Sequence, residues 1–203
     1  MKRVRTAVLI SGRGSNLKSL IEASRAPDYP AEIALVISNK PDAGGLEIAR
    51  AAGIPTQVIS HRDFASREEF DRAIDAALRA ADIALVAEAG FMRIHSEWFA
   101  KKWEGALLNI HPSLLPLFPG IHVHDQALAA GVTESGCTVH FIVPELDAGP
   151  IILQAKVPVL PGDTPDTLAA RILVEEHRIY PEALKLVAEG KVRLISGKAT
   201  HFN

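Results

Sequence analysis

Short apolar runs alternate with longer amphipathic segments along most of the chain, and this alternation is what most limits its fold. Thr6–Ile10, Ile33–Ser38, Thr56–Ile59, Ile83–Ala87 and Ala106–His111 read as strands. Between them, Leu17–Ser24, Leu46–Ala52, the stretch opened by Ser66 and reaching Ala81, and Ser96–Lys102 read as helices. Ser66 has the character of an N-cap, with Glu69 three residues on. Strands and helices in strict alternation make a mostly parallel sheet covered on both faces by helices. The expected fold class is therefore α/β, doubly wound and Rossmann-like.

After His111 the texture changes. Pro112, Pro116, Pro119 and Gly120 make a rigid irregular segment, followed by a helix over Asp125–Ala130 that closes on Gly131. Two β-rich runs, Gly136–Ile142 and Ile151–Val159, flank an acidic loop and read as a hairpin or as adjacent strands with Asp147 at the turn. Thr164 opens a long helix, which Pro181 is expected to kink or restart because it lacks the N–H. Val192–Ile195 is a candidate last strand. No repeat or linker divides the sequence, so residues 1–203 are expected to form one domain.

Composition narrows the function. The 203 residues are 48% hydrophobic and 23% charged, with a formal net charge of −2 and only 5% aromatics, which argues against nucleic acid as the main partner. The opening Met1-Lys2-Arg3-Val4-Arg5 leads into a glycine loop and reads as a first strand rather than a signal peptide, and no apolar segment is long enough to span a membrane. Cys137 is the only cysteine, which points to a cytoplasmic protein.

Two stretches carry chemistry. In Leu107-Leu108-Asn109-Ile110-His111-Pro112-Ser113, Asn109 and His111 stand two apart on a strand, so their side chains leave the same face. An amide that donates to a carbonyl oxygen and an imidazole that polarises it are thus aimed at one point. If Asp147 folds back to the ring, it favours the charged form and hence the holding of an oxyanion. The plainer reading is a strand end whose polar groups simply find partners. The second stretch is Ser11-Gly12-Arg13-Gly14-Ser15-Asn16, a glycine turn from a buried strand into a helix. Its amides and the helix dipole suit a phosphate, although a turn that needs glycine only for its geometry reads the same way. Leu17 stands where a third glycine would be needed and no Gly-Lys-Ser or Gly-Lys-Thr follows, so a single phosphate monoester fits better than NAD or ATP.

Other polar residues weigh less. His122, His124 and Asp125 lack the further ligands a metal needs. His140 reads as a core or site-wall residue, Cys137 as a small buried hydrophobe, and Glu176-His177 as a solvated helix face. No Gly-x-Ser-x-Gly elbow is present, which argues against a serine hydrolase.

Ser11–Leu17, Gly90-Phe91-Met92-Arg93-Ile94, Leu108–Pro116 and Gly136–Phe141, in this order and spacing, resemble the phosphoribosylglycinamide formyltransferases, a branch of the folate-dependent formyltransferase family. The resemblance runs from Val8 to about Leu186. It implies transfer of the formyl group of 10-formyltetrahydrofolate, a co-substrate, to the amine of glycinamide ribonucleotide in purine biosynthesis, with no metal. Asn109, His111 and Asp147 would be catalytic. Gly14, Ser15 and Asn16 would hold the phosphate, and Glu176 would contact the ribonucleotide. The N-terminal half would thus serve the ribonucleotide and the C-terminal half the folate. Met92, Arg93, Ile94 and His95, with Asn109 and Val143, Pro144, Glu145, Leu146 and Asp147, would line the folate pocket, and Arg67 would lie near the folate's acidic tail. The partners implied are small molecules, with no nucleic acid and no membrane, in a monomer or homodimer. Two sibling activities differ in layout: methionyl-tRNA formyltransferase has another first loop and a C-terminal RNA-binding domain, and formyltetrahydrofolate deformylase usually has an extra N-terminal domain. The deformylase is the closest rival. Three residues depart from the pattern: Glu88 and His95 stand where apolar residues are usual, and Leu117 where a basic one is common. Glu88 and His95 are expected to pair, because an unpaired carboxylate at a buried strand end is costly.

Overall fold

The computed structural model describes residues 2–202. Seven strands form one sheet in the order β3-β2-β1-β4-β5-β6-β7. They are β1 (Val4–Ile10), β2 (Ala31–Ser38), β3 (Thr56–Val58), β4 (Leu85–Glu88), β5 (Leu107–His111), β6 (Glu134–Phe141) and β7 (Ile151–Pro158). The first five run parallel, and β6 and β7 add an antiparallel edge. The expected doubly wound class is what the chain adopts.

Helices α1 (Ser15–Ser24), α2 (Gly45–Ala51), α5 (Val123–Ala129) and α6 (Pro165–Ala188) share one core cluster, in which Leu17, Leu46, Ala127 and Ile172 meet Val8 and Ile10 of β1. Helices α3 (Arg67–Ala80) and α4 (Glu97–Lys102) close the other face, where Phe70, Ile74 and Phe99 meet Leu9 of β1 and Leu107 of β5. Alternate residues of β1 and β4 feed the two cores, which is the period-two geometry of a sheet buried on both sides.

The helix starts follow local chemistry. Ser66 and Ser96 accept hydrogen bonds from the backbone of Glu69 and Phe99, and Thr164 forms a capping box with Thr167. The Glu69 carboxylate takes the Ala65 N–H rather than the N-cap amide. Helix α5 begins two residues earlier than its sequence suggests, after His122 in a left-handed conformation (φ 56°).

Pro181 does not restart α6, which runs from Pro165 to Ala188 as one helix. The missing N–H removes one bond to the preceding turn. Packing outweighs that loss, since Ile172, Ile179, Tyr180, Ala183 and Leu184 on both sides of the proline are buried, and the Tyr29 hydroxyl donates to the Pro181 carbonyl at 2.6 Å. The tail strand β8 (Val192–Ile195) pairs with β9 (Lys198–His201), which the sequence reading omits.

One backbone approach positions the acidic loop. A Cβ on Gly149 would sit 1.6 Å from the Phe141 carbonyl oxygen, so only glycine lets the loop close on the end of β6. Gly149→Ala is expected to lower the unfolding free energy by about 1–3 kcal/mol, the cost of forcing atoms into a packed site. Urea unfolding measures it, and an unchanged midpoint would show that the loop closes without this contact.

Candidate active site

Strand order reverses between β1 and β4, and in open α/β sheets such a switch point is where ligands bind, outside the carboxyl ends of the strands. A cavity of about 760 Å³ lies there, lined by the loops that follow β1, β4 and β5 and by the acidic loop. The Ser11 hydroxyl accepts the Met92 N–H at 2.8 Å and ties the first two loops together.

The α1 end of the cavity presents the start of a helix. Gly14 is the N-cap, at φ 81°, and a Cβ there would lie 2.6 Å from the Gly45 Cα. A left-handed turn in close backbone contact admits only glycine. As an N-cap it offers no side-chain oxygen, so the first-turn amides of α1 remain for a ligand. Ser15 and Asn16 line the cavity, and Gly14 does not. The Asn16 amide donates to Glu176 Oε2 at 3.4 Å, and its Oδ1 is buried without a donor. Glu176 lies not on a solvated face but buried in the cavity wall, where burial pushes its carboxyl up and the Asn16 bond opposes that.

At the end of β5, Asn109 and His111 meet the acidic loop. His111 Nδ1 is 3.6 Å from Asp147 Oδ2, and Nε2 donates to the Phe118 carbonyl at 2.9 Å. Asp147, itself left-handed at φ 51°, also accepts the Gly120 N–H at 2.8 Å. His140 stands opposite Asn109 on β6. Its Nδ1–H donates to the Phe141 carbonyl at 2.9 Å, so Nε2 must accept, and Asn109 Nδ2 approaches it at 3.3 Å. Burial lowers the His140 pKa and keeps the ring neutral, while its Phe141 bond and Asp147 pull the other way. The Asn109 amide is thereby oriented, with one N–H free for the cavity. Sequence reasoning missed this role of His140, the Phe118 carbonyl and the Gly120 amide. The pairing of His140 with Asn109 follows only from the β5–β6 register.

The expected pair of Glu88 and His95 is present and is part of a larger group. Glu88 Oε1 meets His95 Nε2 at 2.5 Å, and Asp71 Oδ1 meets His95 Nδ1 at 2.8 Å. Burial opposes the charged ring, but Glu88 and Asp71 outweigh it and raise the His95 pKa to about 9. Burial pushes the Glu88 carboxyl up, against the pull of His95. A proton held between these groups sits best on the ring, since both ring nitrogens face a carboxylate oxygen. Asp71 was not singled out from the sequence. Its signal is an acidic residue beside the apolar stripe Phe70, Ile74 and Leu78 of α3.

Met92, Arg93, Ile94, His95, Val143, Pro144, Glu145 and Leu146 all line the cavity. Arg67 does not. It is the exposed first residue of α3, a helix whose inward face begins only at Phe70. His122 and His124 line the cavity too, and His124 Nε2 is buried without a partner among the described residues. Cys137 is fully buried, which pushes its thiol up to about 12.

The switch-point cavity thus carries the first turn of α1 at one end and an Asn–His–Asp group at the other, a polar site of the enzyme class built on open α/β sheets. Residues 4–184 match the family model for formyl transferases, and the chain belongs to that family. It is 48% identical to the phosphoribosylglycinamide formyltransferase of Escherichia coli (strain K12), over 92% of this chain and 88% of the other. It is 55% identical to the trifunctional purine biosynthetic protein adenosine-3 of Homo sapiens, over 95% of this chain. The chain spans 19% of the length of that trifunctional relative. The crystal structure of glycinamide ribonucleotide transformylase 1 from Symbiobacterium toebii superposes with a TM-score of 0.96 at 46% identity, covering 99% of this chain and 95% of the other.

Proposed function

We propose that the protein transfers the formyl group of 10-formyltetrahydrofolate to the amine of N1-(5-phosphoribosyl)glycinamide, giving formylglycinamide ribonucleotide and tetrahydrofolate. The observation that carries this reading is the convergence of Asn109, His111 and Asp147 on the cavity that also holds the α1 anion cradle. The ribonucleotide phosphate sits on the first-turn amides of α1 with Ser15 and Asn16, and Glu176 takes a polar group of the ribonucleotide. The folate enters between the Met92–His95 and Val143–Asp147 segments. The two halves of the sheet thus serve the two substrates within one unit, and Arg67, exposed at the start of α3, stands near the folate's acidic tail outside the cavity.

The amine attacks the formyl carbon, and the carbonyl oxygen becomes an oxyanion. Asn109 donates its free N–H to that oxygen. His111 donates from Nε2, whose N–H leaves the Phe118 carbonyl to do so. The Asp147 carboxylate faces the other ring nitrogen, Nδ1, at 3.6 Å and supports the ring as it donates. Collapse of the tetrahedral intermediate breaks the bond to N10 of the folate, and the proton lost by the amine passes to N10. Holding two substrates together and stabilising one developing charge account for the rate. The single cysteine, buried and unpaired, suits a cytoplasmic enzyme.

The test is an absorbance assay for loss of the formyl group from 10-formyltetrahydrofolate with and without glycinamide ribonucleotide. Loss that requires the ribonucleotide, matched by formylated product, is the expected result. Equal loss without it would make the protein a deformylase, and no loss in either case would leave only a ligand-binding fold.

A further inference from the structure

Glu88 ends β4 inside the cavity wall and is 5% exposed. One of its oxygens, Oε1, meets His95. The other, Oε2, has no hydrogen-bond donor among the described residues. The carboxylate cannot swing away to find one, because the ring that holds it is fixed on every side. Asp71 binds the other ring nitrogen and also accepts the Ser96 N–H at 2.6 Å. Phe91 and Phe99 stack on the two faces of the His95 ring, at centroid distances of 5.4 and 4.3 Å. The Tyr180 hydroxyl donates to the Glu88 backbone carbonyl at 2.7 Å, which pins the strand end.

The result is an acceptor oxygen that opens on the cavity without a protein donor among the described residues, in a cavity that Ile94, Ala100 and Ile142 also line. A ligand that covers this oxygen takes it out of water, and burial without a donor is costly, so the site favours a ligand that supplies one. Two carboxylates around one imidazolium leave an excess of negative charge, which repels phosphate and carboxylate groups. The ligand that fits here is flat and apolar in its body and bears an N–H donor on its edge, as a nitrogen heterocycle does.

We propose that Glu88, held by His95 and Asp71, is a specificity-determining residue that accepts a hydrogen bond from a ring N–H or amino group of the folate heterocycle. The inference rests on the formyl-transfer reading and deepens it. It follows that affinity for the folate, more than turnover, depends on the second oxygen of Glu88. Two variants separate recognition from mere support. Glu88→Leu removes both oxygens and leaves His95 paired with Asp71. Glu88→Gln keeps an oxygen for His95 and therefore turns its NH₂ toward the cavity, where it confronts the ligand's donor.

The measurement is the dissociation constant of tetrahydrofolate, by calorimetry, for the unsubstituted protein and both variants, with KM and kcat for formyl transfer alongside. The expected result is a loss of about tenfold or more in affinity for both variants, the energy of a buried hydrogen bond. KM for the formyl donor should rise more than kcat falls. If Glu88→Gln binds tetrahydrofolate as the unsubstituted protein does, Glu88 only supports the loop and the proposal is overturned. Unchanged affinity in Glu88→Leu overturns it as well. Failure of the unsubstituted protein to bind tetrahydrofolate would instead strike the formyl-transfer reading, and the proposal with it.

Discussion

His111→Ala is expected to lower kcat for formyl transfer by about 10²–10³-fold while leaving the dissociation constants of both substrates within about threefold. The imidazole stands in the wall of the cavity with Nε2 against a carbonyl oxygen and Nδ1 beside Asp147. Its N–H exchanges the carbonyl for the reacting oxygen only as charge develops there, and an interaction made in the transition state alone moves kcat and not binding. Asp147→Asn should fall in the same direction for a different reason. The amide can still take the Gly120 N–H, so the loop stays placed, but the negative charge opposite the ring is gone. Single-turnover kinetics with both substrates saturating would decide the matter. A rise in KM with unchanged kcat would show that His111 only binds ground states.

His95→Leu should cost about 3–5 kcal/mol of stability at neutral pH, the usual consequence of removing one partner from a buried charge group. The variant leaves Glu88 and Asp71 buried without their shared cation. The effect carries a pH signature whose sign follows from the raised His95 pKa. A cation stabilised by folding contributes fully below its ordinary value of 6.5, and the contribution disappears as pH rises through about 9. The full contribution is about 3 kcal/mol. The stability difference between the unsubstituted protein and His95→Leu is therefore expected to shrink between pH 7 and 10. Urea unfolding across that range tests it, and a difference that grows with pH would mean that the ring is neutral in the fold.

These two histidines differ in how they can be found. Asn109 and His111 are two apart on one short strand followed by proline, so their shared direction is a local property of β geometry. The Gly14 turn is local in the same way, because a buried strand running into a helix through Gly-x-Gly leaves few backbone paths. His95 is not local. Its partners Asp71 and Glu88 come from α3 and β4, and only their packing brings all three together. Glu88 and His95 stand out in the sequence as polar residues in apolar company, which suggests a pair but not a third member.

The sequence by itself determined the α/β class, the order of strands and helices through β7, the anion turn and the Asn-x-His direction. Each of these depends on periods of two or 3.6 residues or on glycine and proline at fixed places, which are near-neighbour effects. Tertiary structure alone decided the rest. It kept α6 continuous through Pro181 because burial on both sides outweighs one lost hydrogen bond. It turned Glu176 inward to Asn16 across 160 residues, left Arg67 at the surface, and set His140 against Asn109 through the register of β5 and β6. Those outcomes depend on distances between segments far apart in the chain, and such distances exist only once the sheet has formed and its helices have packed.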